Sequence, residues 1–167
     1  WITGRAKDLI IRGGHNIDPA LIEEALAGHP SVAMVGAIGQ PDEKAGEIPC
    51  AYVELNADAS VSIEELIEFA NSHVPERAAR PKYIEIIDEL PKTAVGKIFK
   101  PDLRKMAIKR VYDEKLAKEG LNLTVNEVVE DKKRGLVACL HKADSEISDE
   151  VVIKALGDFI RPWEWSA

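Results

Sequence analysis

The apolar and polar positions of residues 7–27 predict a tight hairpin that leads into a helix. The stretch KDLIIRGGHNI places a short apolar strand before Gly13 and Gly14, and glycine tolerates the positive φ of a two-residue turn. Asp18 and Pro19 have the residue types of an N-cap and a first helical position. The helix that they begin carries apolar residues at the spacing of one face, namely Leu21, Ile22, Ala25 and Leu26.

Two strands, a second helix and a third strand follow in the pattern. Residues 31–40 and 47–55 are strand-like, and PDEKAG between them has turn chemistry that favours an antiparallel pair. Ser62 with Glu65 forms a capping box, which begins a helix that stops before Pro75. The stretch KYIEIID then predicts a third strand.

A long amphipathic helix is predicted from Pro101 to near Gly120. Strands of a small sheet thus alternate with helices that can cover it, which is typical of an α+β domain. We therefore predict an α+β domain over residues 1–118, with a small mixed sheet, flanking helices and an N-terminal β-hairpin. Residues 119–167 are predicted to add a small ββα extension, in which the turn DKKRG joins two strands and Ser148 caps a helix.

The net charge of −7 is unevenly distributed along the chain. Residues 92–118 hold nine lysines and arginines against three acids, which leaves a strongly acidic remainder. A basic stretch of this kind indicates an anionic ligand. Aromatic residues make up only 5% of the chain and no stacking motif accompanies the lysines, so we expect a small anion rather than nucleic acid.

The remaining composition indicates a cytoplasmic protein without a membrane span. No apolar run reaches the roughly 18 residues that a spanning helix needs, and no signal peptide is recognised. Cys50 and Cys139 lie far apart in apolar stretches, which predicts two buried free thiols in a reducing compartment. The first residue is Trp1, and we expect the chain to be a piece of a longer protein.

Several common catalytic motifs are excluded by their spacing. Gly96 and Lys97 do not form a Walker A loop, because Pro91 and Ile98 stand where that loop needs glycine and serine or threonine. The histidines lack the spacing of metal ligands, so we predict no metal site and surface or capping roles for His15, His29, His73 and His141.

The stretch LPKTAVGKIFKP, residues 90–101, is the strongest candidate for chemistry. Lys97 follows a glycine in a loop rich in proline, threonine and glycine, so the loop can project one ammonium group outward. Such a group suits a carboxylate and a phosphate between which negative charge redistributes. From the residues alone, a solvated lysine is the other interpretation of Lys97. Lys92 is expected to serve loop structure or solvation.

Two motifs together resemble a known family. GRAKDLIIRGGHNIDPALIEEAL, which begins at Gly4, precedes LPKTAVGKIFK, which begins at Leu90. In this order they resemble the carboxyl-terminal domain of the adenylate-forming (AMP-binding) enzymes, which are the acyl-CoA synthetases, the adenylation domains of nonribosomal peptide synthetases and firefly luciferase. The resemblance covers roughly residues 1–118 and is closest to the acyl-CoA synthetases.

The resemblance implies a reaction in two steps. A carboxylic acid first reacts with ATP, in the presence of Mg²⁺, to give an acyl-adenylate and pyrophosphate. The acyl group then passes to a thiol, usually that of coenzyme A. Lys97 matches the lysine that bridges the substrate carboxylate and the nucleotide in the first step, and Arg5 matches an arginine that contacts the ribose.

The resemblance also implies a moving domain. Gly13 and Gly14 match the turn that lines the pantetheine tunnel in the second step, and Lys7 matches the hinge about which the domain rotates between steps. ATP, Mg²⁺ and coenzyme A are expected to bind mostly through an N-terminal adenylation domain that this chain lacks. The chain alone is therefore expected to be inactive.

The first hypothesis is thus the carboxyl-terminal domain of an ATP-dependent acid–CoA ligase, with fatty acid metabolism as its setting. The alternative is the corresponding part of an adenylation domain that loads a phosphopantetheinyl carrier protein. A third hypothesis is a free-standing binding domain without catalysis. The sequence leaves open the carboxylic acid, a homo-oligomeric state and the role of residues 119–167.

Overall fold

The computed structural model of the protein describes residues 8–142 and 146–167. Within these ranges the strands are β1 (Ile10–Arg12), β2 (His15–Ile17), β3 (Val32–Asp42), β4 (Gly46–Leu55), β5 (Tyr83–Ile86), β6 (Leu123–Asp131), β7 (Gly135–Lys142) and β8 (Trp163–Trp165). The helices are α1 (Pro19–Ala27), α2 (Ile63–His73), α3 (Lys100–Lys118) and α4 (Asp149–Leu156), with a 3₁₀ turn at Arg77–Ala79. This mixture confirms the predicted α+β class.

The first sheet is mixed, as predicted. Its strand order is β2-β1-β4-β3, and β5 also pairs with β4. β1 and β2 form the predicted antiparallel hairpin, while β3 and β4 are neighbours joined only by residues 43–45 and so form a second hairpin. β5 runs parallel to β4, with Cys50 opposite Tyr83 and Val53 opposite Ile86.

Helices α1 and α2 share a hydrophobic core with this sheet. The Asp18 carboxylate caps α1 by accepting from the Ala20 N–H at 3.0 Å, and the Ser62 hydroxyl caps α2 by accepting from the Glu65 N–H at 3.1 Å, both as predicted. Leu21, which the pattern placed on one face with Ile22 and Leu26, is 40% exposed, whereas those two residues are buried. The buried members of the core include Ile22, Leu26, Ala37, Ala51, Val53, Leu66, Ala70 and Ile84.

The chain forms two compact units. One holds the described residues up to Gln40 together with Glu47–Leu103, and the other holds Pro41–Gly46 with Arg104–Ala167. Most of α3 therefore belongs with the second sheet, and one core contains residues of α3, β6, β7 and α4, among them Ile108, Tyr112, Leu116, Val125, Leu140, Val152 and Leu156. The functional boundary between residues 118 and 119 stays a prediction.

The extension contains one strand more than predicted. β6 and β7 are antiparallel as expected, but β8 follows α4 and lies parallel to β7, with Trp163 opposite Ala138. Three residues are too few to show an alternating pattern, so β8 could not be predicted. Ser148 stands at the N-cap position of α4 as predicted, although its side chain makes no capping hydrogen bond.

The prediction for the two cysteines is confirmed, whereas the one for His29 is not. Cys50 and Cys139 are buried free thiols, as predicted. His29 was expected at the surface or at a cap, but it is only 7% exposed, and its Nδ1 accepts from the Ser31 N–H at 3.1 Å in the turn after α1. Across the described ranges, no helix has the length and apolar character needed to cross a membrane.

Tyr112 provides a test of the second core. Its side chain is fully buried, its hydroxyl donates to the Arg161 carbonyl at 2.7 Å, and burial raises its pKa. Tyr112→Phe keeps the ring but leaves the carbonyl without this donor. We expect the free energy of unfolding, measured by denaturant titration, to fall by about 1 kcal/mol. An unchanged unfolding midpoint would show that the hydrogen bond does not stabilise this core.

Candidate active-site loop

The segment that carries Lys97, residues 90–100, contains a tight turn and is called the lysine loop below. The Gly96 N–H donates to the Thr93 carbonyl at 2.9 Å, and the Thr93 N–H donates to the Lys97 carbonyl at 2.7 Å. The Lys97 N–H also donates to the Thr93 hydroxyl at 3.2 Å. Gly96 has a φ of +82°, a left-handed conformation that glycine adopts without strain. The turn therefore fixes the backbone from which the Lys97 side chain extends.

The Lys97 side chain is exposed, and its ammonium group has no partner in the part of the chain that the structure describes. No described residue, in 8–142 or 146–167, makes a hydrogen bond or ion pair with its Nζ. Val95 at the tip of the loop is 80% exposed, and Phe99 is 40% exposed. A cation without an internal partner, next to exposed apolar side chains, can neutralise an anion supplied from outside the domain.

Lys92 has the opposite environment. Its Nζ lies 2.9 Å from Glu54 Oε1 and 3.1 Å from the Leu90 carbonyl oxygen. Its backbone forms an antiparallel bridge with Ile98, and its side chain is only 25% exposed. Lys92 therefore belongs to the framework of the loop, in line with the role expected from the sequence.

The turn between β1 and β2 is also exposed. A Cβ atom built on Gly13 or Gly14 would meet no atom within 4 Å. Gly13 has a φ of +57°, so the turn itself requires a glycine there, but Gly14 has no such φ. Neither packing nor backbone geometry within the described chain explains glycine at Gly14. Ile11, on the preceding strand, is 53% exposed.

The other predicted site residues are not placed by the structure. Arg5 and Lys7 lie outside the described residues. The structure places Lys97 between β5 and α3 and the two glycines between β1 and β2, on separate segments. In the part of the chain that the structure describes, no group of three or more His, Cys, Asp or Glu side chains is arranged to hold a metal ion.

Two sets of polar residues were not predicted from the sequence. Glu54 and Glu23 contact the two ends of the lysine loop through lysines that are distant in sequence. A basic recess of about 310 Å³ is lined by Ile67, Asn71, Arg77, Arg80, Pro81 and Lys82. The two carboxylate–lysine contacts have no local spacing signal, because their members come from different elements, whereas Arg77, Arg80 and Lys82 of the recess lie close together in the sequence. The only general signal for these contacts is that a partly buried loop lysine needs a carboxylate partner, but the sequence does not say which one.

The comparison with family models identifies this fold. Residues 21–97 match the model described as the AMP-binding enzyme C-terminal domain. The match ends at Lys97 and includes β3, β4, α2 and β5, but not the β1–β2 hairpin or α3. Residues 21–97 therefore carry the carboxyl-terminal domain of the adenylate-forming enzymes, as the two motifs predicted.

The relatives in sequence are acid–CoA ligases. Marinolic acid–CoA ligase of a Pseudoalteromonas species is 42% identical over 93% of this chain and 24% of that enzyme. The medium-chain fatty-acid–CoA ligase of Escherichia coli is 40% identical over 68% of this chain and 20% of that enzyme. The chain thus spans about a fifth to a quarter of these relatives, and the first match also includes most of residues 119–167. These names do not favour the carrier-protein alternative.

Solved structures agree with this assignment. The Mycobacterium tuberculosis fatty acyl CoA synthetase is 39% identical with a TM-score of 0.56, over 62% of this chain and 20% of that chain. The anthranilate CoA ligase AuaEII, solved with anthranoyl-AMP, is 32% identical with a TM-score of 0.60, over 65% of this chain and 21% of that chain.

The two loop lysines should differ in their effect on stability. Because Lys97 Nζ has no partner among the described residues, Lys97→Ala should change the free energy of unfolding by less than about 0.5 kcal/mol. Lys92→Ala removes a partly buried ion pair with Glu54 and should cost about 1 kcal/mol. Denaturant titrations of this chain compare the two. Equal losses would mean that Lys97 has an internal structural role.

Proposed function

We propose that this chain is the mobile carboxyl-terminal domain of an ATP-dependent acid–CoA ligase and that Lys97 acts in its adenylation step. The observation that carries the proposal is the exposed ammonium group of Lys97, which has no partner among the described residues and stands on a turn that includes Gly96. The identity to acid–CoA ligases over most of the chain supports the same assignment. A fatty acid is the substrate class that we propose, since two relatives carry that class in their names.

In the first step, a carboxylate oxygen of the acid attacks the α-phosphorus of ATP, and pyrophosphate leaves with the electrons of the broken P–O bond. Negative charge passes from the carboxylate to the phosphates, and no proton has to move. The Lys97 ammonium, lying between the two groups, would offset charge on both. Because Lys97 has no ion pair with any described residue, using its charge breaks no contact in that part of the fold.

In the second step, the thiolate of coenzyme A attacks the acyl carbon and AMP leaves with the electrons of the broken C–O bond. The turn at Gly13 and Gly14 would line the path of the pantetheine arm. Absence of a side chain at Gly14 leaves room there, although the fold itself does not require glycine at that position. Rotation about Lys7 would exchange the lysine loop for this turn.

The proposed partner is an N-terminal adenylation domain in the same protein. The chain covers only about a fifth to a quarter of its relatives, which supports such a domain. Arg5 would contact the ribose, and Mg²⁺ would be held through the N-terminal domain, since the described residues offer no cluster of metal ligands. The basic recess carries charge complementary to the phosphates of ATP and coenzyme A.

Lys97→Ala in the ligase that includes the N-terminal domain should separate the two steps. We expect acyl-adenylate formation, measured by ATP–pyrophosphate exchange, to fall by at least about 100-fold because charge stabilisation is lost. Thioester formation from supplied acyl-adenylate should be largely retained, and Lys92→Arg is the matched control. Equal loss in both half-reactions would contradict the assigned role.

Gly14→Leu should have the reverse effect. A bulky side chain in the pantetheine path should slow thioester formation from supplied acyl-adenylate, while ATP–pyrophosphate exchange stays near its normal rate. Gly14→Ala should have a smaller effect, because it adds only a Cβ atom. Since a Cβ at Gly14 meets no atom within 4 Å, both variants should keep the fold. Loss of adenylation instead of thioester formation would refute the tunnel role.

A further inference from the structure

We infer that Glu54 and Glu23 are positioning residues that hold the two ends of the lysine loop and so place Lys97 for adenylation. Neither carboxylate is hydrogen-bonded or ion-paired to Lys97, so each would act through the loop and not on the reacting groups. The inference deepens the proposed function and rests on it, because it takes Lys97 as the residue whose placement matters.

The N-terminal end of the loop is held by Glu54, which lies on β4. Its Oε1 accepts from the Leu90 N–H at 2.8 Å and from the Lys92 ammonium at 2.9 Å. Lys92 also donates to the Leu90 carbonyl at 3.1 Å, so the three groups form a closed cluster. The Leu90 N–H, together with Lys92, holds the pKa of Glu54 below its ordinary value of 4.5, and Glu54 is therefore charged at neutral pH.

The C-terminal end of the loop is held by Glu23, which lies on α1. Its Oε2 is 3.1 Å from the ammonium of Lys100, the first residue of α3. The same oxygen accepts from the Ala37 N–H of β3 at 3.1 Å. The two side chains are only 23% and 16% exposed, so solvent weakens this contact less than it weakens a surface ion pair.

The contacts of Glu54 and Glu23 constrain the direction of the lysine loop, which the hydrogen bonds inside the turn do not. Hydrogen bonds between Thr93, Gly96 and Lys97 determine the shape of the turn, but the attachment of its ends determines its direction relative to the sheet. The ends are attached to two different elements, one by a charge-assisted hydrogen bond to Glu54, which is stronger than a neutral one, and the other by the ion pair with Glu23. Misplacing a catalytic group by about 1 Å can cost up to about 100-fold in rate.

Among the described residues, some ion pairs are local, whereas others, such as Lys115 with Glu43 and Arg134 with Glu164, also join residues distant in sequence. Lys109 with Asp113 and Arg134 with Asp131 join neighbours on one helix or one turn. The Lys92–Glu54 contact belongs to the long-range group, since it joins residues 38 positions apart. Asp131 therefore offers a matched control, since it is a carboxylate in a local turn with an arginine partner and backbone N–H donors.

The test uses Glu54→Gln and Glu23→Gln in the ligase that includes the N-terminal domain, with Asp131→Asn as the control. We expect the kcat of adenylation to fall about tenfold in the two glutamine variants, with the KM for ATP within about twofold of its normal value. Thioester formation from supplied acyl-adenylate should be unchanged. The control should be normal in both half-reactions.

Two further measurements distinguish a misplaced lysine loop from a general loss of structure. Hydrogen exchange of the Thr93 and Gly96 amides should become faster in Glu54→Gln, because the loop is held less firmly, and stay normal in the control. Lys92→Arg, which preserves the cation, should retain adenylation, whereas Lys92→Gln should lower it. Combining Lys92→Gln with Glu54→Gln should add little to either single loss, since both break the same contact.

The outcomes separate the inference from the proposed function. If Lys97→Ala abolishes adenylation but the glutamine variants leave its kcat normal, the positioning role is wrong and the proposed function stands. If the glutamine variants lower both half-reactions equally, the carboxylates merely stabilise the domain and the inference is overturned. If Lys97→Ala leaves adenylation intact, the proposed function fails and the inference fails with it.

Discussion

The parallel pairing of β5 with β4 is the constraint on which the lysine loop depends. Val53 lies opposite Ile86, and the Ile87 N–H continues the pairing by donating to the Val53 carbonyl at 2.9 Å. Glu54 is the next residue on β4, so the chain leaving β5 passes its carboxylate, which Leu90 and Lys92 then bind. A shift in this register would move the carboxylate away from both donors, and the loop would lose its attachment to the sheet.

The fold explains some residues of the lysine loop and of the glycine turn and leaves others unexplained. Gly96 and Gly13 are required by positive φ, and Lys92 is required by its contacts with Glu54. No contact or backbone geometry in the described residues requires a lysine at position 97 or a glycine at position 14. These are the two positions on which the proposed function depends most. A side chain or a glycine that the fold does not explain is well placed to serve an external partner.

Much of this architecture could be predicted because its signals are local. Caps at Asp18 and Ser62 and the glycine turn of the hairpin are encoded by a few adjacent residues. The pairs of Glu54 with Lys92 and of Glu23 with Lys100 depend on strand register and helix packing, which no local pattern contains. The motifs identified the lysine, but only the structure shows how it is held.

The central claim is that one domain presents its lysine loop and its glycine turn alternately to one active site. The alkylation rates of Val95→Cys and Ile11→Cys test it directly, because both side chains are exposed here while Cys50 and Cys139 are buried. These rates are measured in the ligase with its N-terminal domain, after other exposed cysteines are removed. With the acid and an unreactive ATP analogue, the cysteine at position 95 should be protected; with an acyl-adenylate analogue and coenzyme A, protection should move to position 11. Rates that do not change between the two conditions would contradict the alternation.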